Sequence, residues 1–420
     1  MAPRLLLSAY HFSMSAVAAL AFGLPARGLV VIGVTGTKGK TTTCGMLHHI
    51  LQQGGFKAGL ISTAEIAIGY ERRINDLKMT TPSRTTLQRL LRRMATAGCT
   101  HVVLETSSEA LAQWRHFGIP YAVAVFTNLA PEHLEAHGSL AAYRQAKGKL
   151  FQALSGKGTA VVNLDDAEAG YFLHFPANKK IGFTIHGHGG AQLTETLNAT
   201  IQKVEAHHAL FTVNGVLAPL LVGGEFNVMN ALAALGAARA LEMPLARAVQ
   251  ALTNFNGTPG RLEFVETGKN FSVVVDYAHT PESLEAVYIT LERQGPLVAV
   301  LGSCGGGRDK AKREPLGKLA GTYARAVIVT DEDPYDEEPR AIMEAVARGA
   351  RAAGKRDGDN LWVVPERRQA IQLALSQAQA GDTVVITGKG SEQWLCVAGD
   401  KKIPWDDRTV VREELLALAH

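Results

Sequence analysis

Cysteine is scarce in this chain. The four in 420 residues, Cys44, Cys99, Cys304 and Cys396, lie too far apart for the paired spacings of a zinc site or a disulfide framework. A reducing cytosol is their natural setting. Charge of one sign is also lacking: 43 Lys+Arg against 39 Asp+Glu leave a formal +4, which gives no argument for a nucleic-acid partner. Internal repeats and low-complexity tracts are absent as well. Residues 5–24 come closest to a membrane span, but Ser8, Tyr10, His11, Ser13 and Ser15 dilute them and Pro25 ends the stretch. What is present, 46% hydrophobic and 20% charged residues, is ordinary for a soluble globular protein, and the length suits two or three domains.

The most informative stretch is Gly33-Val-Thr-Gly-Thr-Lys-Gly-Lys-Thr-Thr, between an apolar strand at Leu29 to Ile32 and a helical run starting near Thr41. It reads as a phosphate cradle. Gly36 and Gly39 let the N–H groups of Thr37 and Lys38 approach polyphosphate oxygens, Lys40 brings a point charge to the outer phosphates, and the Thr41 hydroxyl, with Thr42 beside it, can hold Mg²⁺ at a helix N-terminus. The common P-loop has four residues between its first glycine and the Gly-Lys pair. Here only two separate Gly36 from Gly39, a shorter and rarer loop. Ala19-Leu20-Ala21 resembles a signal-peptidase site, but cleavage there would carry a nucleotide site to a compartment without ATP. Residues 1–28 are therefore expected either to pack on the protein as a helix or to lie on the inner face of a membrane.

From Leu29 onward short apolar strands alternate with amphipathic helices, the pattern of a parallel sheet covered on both faces. Strands are expected at Leu29–Gly33, Ala58–Ile61, His101–Glu105, Tyr121–Thr127 and Thr159–Asn163, with helices such as Thr42–Gln53 and Arg84–Ala97 between them. Between Gly182 and Val222 the alternation predicts a small antiparallel sheet, closed by a helix from Asn227 to Leu241. A Gly/Pro/Asn-rich stretch at Asn254 to Gly260 marks a linker. A second α/β series follows with strands at Phe271–Asp276, Leu297–Gly302, Ala326–Thr330, Leu361–Val364 and Thr383–Thr387. The expected division is an apolar segment over 1–28, a P-loop domain over 29–256 and a Rossmann-like domain over 257–420, all of the α/β class.

Ligands in such sheets gather at the carboxyl ends of strands. One strand end carries Glu105-Thr-Ser-Ser, a carboxylate where Mg²⁺ needs oxygen ligands, and the next carries Thr127-Asn-Leu-Ala-Pro-Glu-His-Leu-Glu-Ala-His-Gly. With the P-loop and Ala142-Tyr-Arg-Gln-Ala-Lys-Gly-Lys-Leu-Phe, these segments resemble the Mur ligases, ATP-dependent enzymes that form amide bonds. The ordered matches continue through Phe226-Asn-Val-Met-Asn, Gly260-Arg-Leu-Glu, Val274-Val-Asp-Tyr-Ala-His-Thr-Pro, Gly306-Gly-Arg-Asp-Lys, Gly388-Lys-Gly-Ser-Glu and Asp406-Asp-Arg. Within the family the likeness is greatest to the ligases that add the third stem-peptide residue to UDP-N-acetylmuramoyl-L-alanyl-D-glutamate.

The resemblance implies that ATP phosphorylates an acceptor carboxylate and an amine then displaces phosphate from the acyl phosphate. It implies catalytic roles for Lys40, Glu105, His133 and Lys147. Thr41 and Glu105 would serve one Mg²⁺, His133 and Lys147 a second, with Lys147 carbamylated as in the family. Asn227 and Asn230 would meet adenine, though Asn227 also suits a helix N-cap. Arg261, Asp276 and His279 would meet the nucleotide from the C-terminal domain. Thr80, Thr81, Pro82, Ser107 and Arg115 would bind the muramoyl-peptide acceptor, and Asp333, Pro334, Tyr335, Gly388 and Glu392 the incoming amino acid. A monomer or weak homo-oligomer is expected.

Several positions depart from the family pattern. Lys38 stands for an asparagine, and Glu109 for a histidine near the peptide site. Diaminopimelate-adding members carry Asp-Asn-Pro-Arg, whose arginine grips the second carboxylate of that amino acid. Here Glu332-Asp-Pro-Tyr stands instead, followed by Asp336, Glu337 and Glu338, an acidic loop that would favour lysine or ornithine. A solvated acidic loop is the plainer reading, and Arg308 or Arg340 remain candidates for a carboxylate. Only 28 apolar residues precede the P-loop strand where the family carries a UDP-binding domain, so the acceptor's carrier is open. Other superfamily ligases, a folylpolyglutamate synthase or the subunit that amidates lipid-linked D-glutamate, are the alternatives, with a non-catalytic nucleotide-binding regulator as the alternative outside enzymes.

Overall fold

The computed structural model describes residues 2–132, 137–190 and 192–418. The chain forms two compact units, Met1–Val204 with His208–Asn256, and Glu205–His207 with Gly257–His420.

The first unit is built on eleven strands: β1 (Val30–Thr35), β2 (Ala58–Ile61), β3 (Glu65–Ile68), β4 (Glu71–Ile74), β5 (His101–Glu105), β6 (Tyr121–Phe126), β7 (Thr159–Asn163), β8 (Lys179–Thr184), β9 (Glu195–Val204), β10 (Ala209–Val213) and β11 (Val216–Leu220). Their order is β11-β10-β9-β8-β7-β6-β1-β5-β2-β3-β4. The centre is parallel and buried on both faces, so β1, β5 and β6 read as largely apolar runs without polar alternation. The antiparallel strands expected after Gly182 are β9 to β11, which extend this sheet through a parallel β8–β9 pair. A second antiparallel hairpin, β3–β4, closes the other edge where no strand was predicted. Helix Lys40–Gln53 packs Met46, Leu47, Ile50 and Leu51 fully out of water in the core that also takes helix Glu225–Ala240. Each such side chain contributes roughly 1.5–3 kcal/mol.

The N-terminal segment forms a helix, Ala2–Ala21, packed on the protein by its small and polar side. Ser15, Ala18 and Ala19 are buried, Ser8 accepts a hydrogen bond from Trp114 Nε1 (3.0 Å), and Phe12 meets Trp114 and Phe117 edge-on. The large apolar residues Leu6, Leu7, Tyr10, Met14, Val17 and Leu20 face outward, with Leu6 72% exposed. Among the described residues no helix is long and apolar enough to cross a membrane.

The second unit holds β12 (Glu263–Val265), β13 (Ser272–Val275), β14 (Leu297–Leu301), β15 (Ala324–Thr330), β16 (Leu361–Val364) and β17 (Thr383–Ile386), ordered β12-β13-β17-β14-β15-β16 and parallel apart from β12. A ribbon of β18 (Trp394–Val397) and β19 (Lys401–Pro404) stands beside it. Arg367, wholly enclosed, is neutralised by both oxygens of Asp407 at 2.8 and 2.7 Å and donates to the Thr387 carbonyl. A buried guanidinium needs such complete pairing.

Candidate functional site

The register of β1 between β5 and β6 sets Val34 against Glu105 and Thr35 against Phe126, so three carboxyl ends converge on the loop Gly36–Gly39. Two loop positions demand glycine. A Cβ on Gly36 would lie 1.9 Å from Thr127 Oγ1, and one on Gly39 (φ 80°) would lie 2.1 Å from Asn230 Oδ1. The strand after the loop clamps it: Asn128 Oδ1 accepts from the Lys38 amide (2.8 Å), Thr127 Oγ1 donates to the Lys38 carbonyl (2.7 Å), and Thr37 exchanges hydrogen bonds with Ala130. Lys40 Nζ lies over the loop, donating to the carbonyls of Gly36 (3.0 Å) and Thr37 (2.7 Å). The helix after Gly39 begins at Lys40, so Thr41 and Thr42 stand in its first turn, where the helix dipole favours anions.

Thr41 Oγ1 donates to Glu105 Oε1 at 3.0 Å, and Glu105 is only 1% exposed. Thr63, which carried no signal in the sequence, donates to the same carboxylate from its amide (2.7 Å) and its hydroxyl (3.0 Å). Among the described residues Glu105 makes no ion pair, so a buried carboxylate is left with hydroxyl and amide donors alone. That arrangement suits a bound cation. No group of three or more His, Cys, Asp and Glu side chains able to hold a metal exists among the described residues. A Mg²⁺ ion would therefore draw much of its oxygen shell from phosphates and water, as that ion commonly does.

Lys147, on helix Leu140–Gln152, is buried to 1% exposure, donates to the Gly36 carbonyl at 2.6 Å and lies 4.2 Å from the Tyr143 ring centre. Among the described residues it has no carboxylate at ion-pair distance. Burial above all, then repulsion from Lys40, holds its pKa well below the usual lysine value, against a weaker pull from Glu132. His133, expected beside Lys147, lies outside the described residues.

The acceptor-side residues assemble on the far side of Glu105. Thr81 Oγ1 donates to the Glu105 carbonyl (2.8 Å) and accepts from the Ser107 amide (2.9 Å), Thr80 Oγ1 lies 3.0 Å from Thr63 Oγ1, and Arg115 Nη1 donates to the Thr81 carbonyl at 2.8 Å. Pro82 is buried beside them. Asn227 and Asn230 are also buried. Asn230 donates to Asn227 Oδ1 (3.0 Å), and Asn227 donates to the Gly223 carbonyl from inside the first turn, while Gly224 holds the cap position suggested for Asn227.

In the second unit Asp276 accepts the Leu262 and Ala278 amides, both at 2.6 Å, so its two oxygens already anchor the turn that was expected to meet the nucleotide. Arg261 lies over the Tyr277 ring at 4.2 Å, and His279 Nδ1 is 3.0 Å from the Tyr277 carbonyl. Lys389 donates to both oxygens of Asp333 (3.0 Å each) and to Glu392 (2.5 Å). Gly388 (φ 104°) leaves room for Glu332, whose Oε2 a Cβ would meet at 2.3 Å, and Tyr335 is held at φ 52° after the buried Pro334.

The acidic loop is not a free negative surface, which corrects the charge argument from sequence. Cys304 Sγ donates to Glu332, Lys389 and the Cys396 amide hold Asp333, and the Gly399 amide donates to Asp336. Lys310 and Arg313 bind Glu337, and Glu338 caps helix Pro339–Ala352. Each carboxylate has an internal donor. The partners lie tens of residues away for all but Glu338, so local charge counting misses them.

A P-loop at the head of a parallel sheet, with a buried Thr–Glu pair for a cation and an unpaired buried lysine, defines a nucleotide-dependent enzyme. Residues 34–238 match the Mur ligase middle domain, and residues 260–390 match the Mur ligase glutamate ligase domain. The chain belongs to the Mur ligase family and is an ATP-dependent ligase that forms amide bonds. It is 38% identical to the UDP-N-acetylmuramyl-tripeptide synthetase of Roseiflexus sp. (strain RS-1), over 97% of this chain and 82% of that protein. It is 39% identical to the UDP-N-acetylmuramoyl-L-alanyl-D-glutamate–2,6-diaminopimelate ligase of Geobacillus thermodenitrificans, over 95% of this chain and 81% of that protein. A solved structure of a ligase with that same name superposes with a TM-score of 0.63 at 32% identity, covering 93% of this chain and 79% of the other.

Proposed function

We propose that this ligase adds the third residue of a peptidoglycan stem peptide to a muramoyl-L-alanyl-D-glutamate acceptor, in the cytoplasm, through an acyl phosphate. The carrying observation is the adjacency of the Thr41–Glu105 pair to the Thr80-Thr81-Ser107-Arg115 wall, which would set the acceptor carboxylate beside the nucleotide phosphates. The names of the relatives support the same acceptor. The proposed division of labour is an ATP-binding domain over 29–256 and a C-terminal domain over 257–420 that meets the nucleotide through Arg261, Asp276 and His279 and the amine through Asp333, Gly388 and Glu392.

Lys40 and the Gly39 amide bind the outer phosphates, where negative charge grows in the transition state, while the Thr37 and Lys38 amides, already donated to Asn128, fix the shape of the loop. Thr41 and Glu105 would hold one Mg²⁺, which would supply charge to screen the phosphates. Lys147 in its neutral form would add to CO₂, forming the N–C bond and releasing a proton, and the resulting anionic carbamate oxygens, with His133, would hold a second Mg²⁺. Asn227 and Asn230 shape the adenine side.

With the carboxylates of the acidic loop already held by internal donors, the choice of amino acid rests on residue 335. Tyr335 cannot make the guanidinium fork that grips a second carboxylate, so lysine or ornithine is favoured over diaminopimelate. The outward face Leu6, Tyr10, Met14 and Val17, next to a helix that exposes Arg89, Arg92 and Arg93 and carries no acid, supports peripheral contact with an anionic membrane face.

Purified protein with ATP, Mg²⁺ and UDP-N-acetylmuramoyl-L-alanyl-D-glutamate, offered lysine, ornithine, diaminopimelate or ammonia separately, tests the reading by product mass. A lysine or ornithine adduct with stoichiometric phosphate is expected. ATP turnover without any adduct rejects the acceptor.

A further inference from the structure

The N-terminal helix carries a titratable side chain to the acceptor wall. His11, on its inward side, is 2.9 Å from Arg84 Nη2 through Nδ1. A guanidinium only donates, so Nδ1 accepts and the neutral ring carries its proton on Nε2. Burial, then Arg84 and Arg115, push the imidazole pKa down, in keeping with that tautomer.

Arg84 follows directly on the Thr80-Thr81-Pro82-Ser83 turn, and Arg115 reaches the same turn from the other side. Neither is neutralised. Arg115 donates to Gln113 Oε1 (3.1 and 2.7 Å) and to the Thr81 carbonyl, while Arg84 has His11 and, at 5.8 Å, the Tyr10 ring. Among the described residues neither guanidinium makes an ion pair. The exposed Glu109 acts on Arg115 only from beyond contact, and Arg84 opposes it. Elsewhere in the chain partly buried arginines are paired, as Arg239 is with Glu195, Arg144 with Glu168 and Arg408 with Asp406. Two half-buried cations flanking one turn without a counter-ion are costly unless an anion arrives.

We infer that Arg84 and His11 complete, with Arg115, an oxyanion site of the acceptor, and that helix Ala2–Ala21 is a wall of that site. The inference rests on the acceptor reading above, and it adds a helix and two residues to it. The oxyanion is a carboxylate of the peptide or a phosphate of its carrier; both present the planar or tetrahedral oxygens that a guanidinium fork and an Nε2–H donor match.

Full-length Arg84→Met, Arg84→Lys and His11→Leu variants should be assayed with UDP-linked and with UDP-free muramoyl dipeptide. Arg84→Met should raise the KM for acceptor about tenfold and His11→Leu roughly threefold, while the KM for ATP moves less than about twofold. Arg84→Lys should recover part of the loss. An equal rise with both acceptors assigns the peptide carboxylate, and a rise confined to the UDP-linked one assigns the phosphate. Unchanged acceptor KM in a folded Arg84→Met overturns the inference. If the wild type ligates neither acceptor, the functional reading fails, and calorimetric titration with glutarate and inorganic pyrophosphate decides this one separately. Saturable binding weakened in Arg84→Met upholds an oxyanion site, and equal or absent binding in wild type and variant overturns it.

Discussion

Two lysines are buried as deeply as any side chain in the protein, and they are housed in opposite ways. Lys389, in the second unit, is 0% exposed and touches three carboxylate oxygens, from Asp333 and Glu392. Lys147, in the first unit, is 1% exposed and has one carbonyl and an aromatic face. Removing an ammonium from water costs several kcal/mol, and only Lys389 recovers it through full pairing. Lys389 is thus held as a cation that fixes the geometry of the Asp333 loop. Lys147 lacks such pairing and sits next to the cradle where phosphate and metal charge would collect.

This contrast predicts opposite results for the same substitution. Lys147→Met should lower kcat by about 10³-fold or more, about 4 kcal/mol of transition-state stabilisation, read from phosphate release at saturating ATP. Lys389→Met strands two carboxylates and should destabilise the second unit by about 3–5 kcal/mol, read from denaturant midpoints. The acid side separates the units further. His48 and His116, both in the first unit, are held by burial at pKa values of about 4. The unfolded chain takes up their protons near 6.5. The stability they contribute is complete above pH 6.5 and is lost as pH falls from 6.5 through 4, roughly 2–3 kcal/mol for each. Far-UV melts at pH 7 and pH 4.5 should therefore show the first unit unfolding earlier at the lower pH, and His48→Gln should blunt the effect. The smallest effect is a gain: Lys147→Met should leave stability unchanged or raise it by about 1 kcal/mol, because no carboxylate is left behind and the Gly36 carbonyl keeps Lys40 as a donor. A fall as large as that of Lys389→Met would erase the contrast.

Legibility in the sequence followed the range of the interactions. Gly36, Gly39, Lys40 and Thr41 sit in one contiguous loop, and Glu105 and Thr127 at strand ends, so local pattern alone placed them near one another. Thr63 reaches Glu105, and Tyr143 reaches Thr37 of the loop, only because of sheet register and helix packing, and single polar residues carry no pattern. The acidic run after Thr330 was misjudged for the same reason, since Lys310, Arg313 and Lys389 are brought in by the fold. The N-terminal helix was visible as an apolar stretch, but its direction was not: the small residues Ser15, Ala18 and Ala19 allow close packing, which turned Leu6, Tyr10 and Val17 outward.

Carbon-13 NMR of the protein equilibrated with labelled bicarbonate tests the unpaired lysine most directly. The account predicts one carbamate resonance that is absent in Lys147→Met and whose removal by degassing lowers ligation in step. A fully active enzyme with no carbamate signal, indifferent to CO₂, would contradict it.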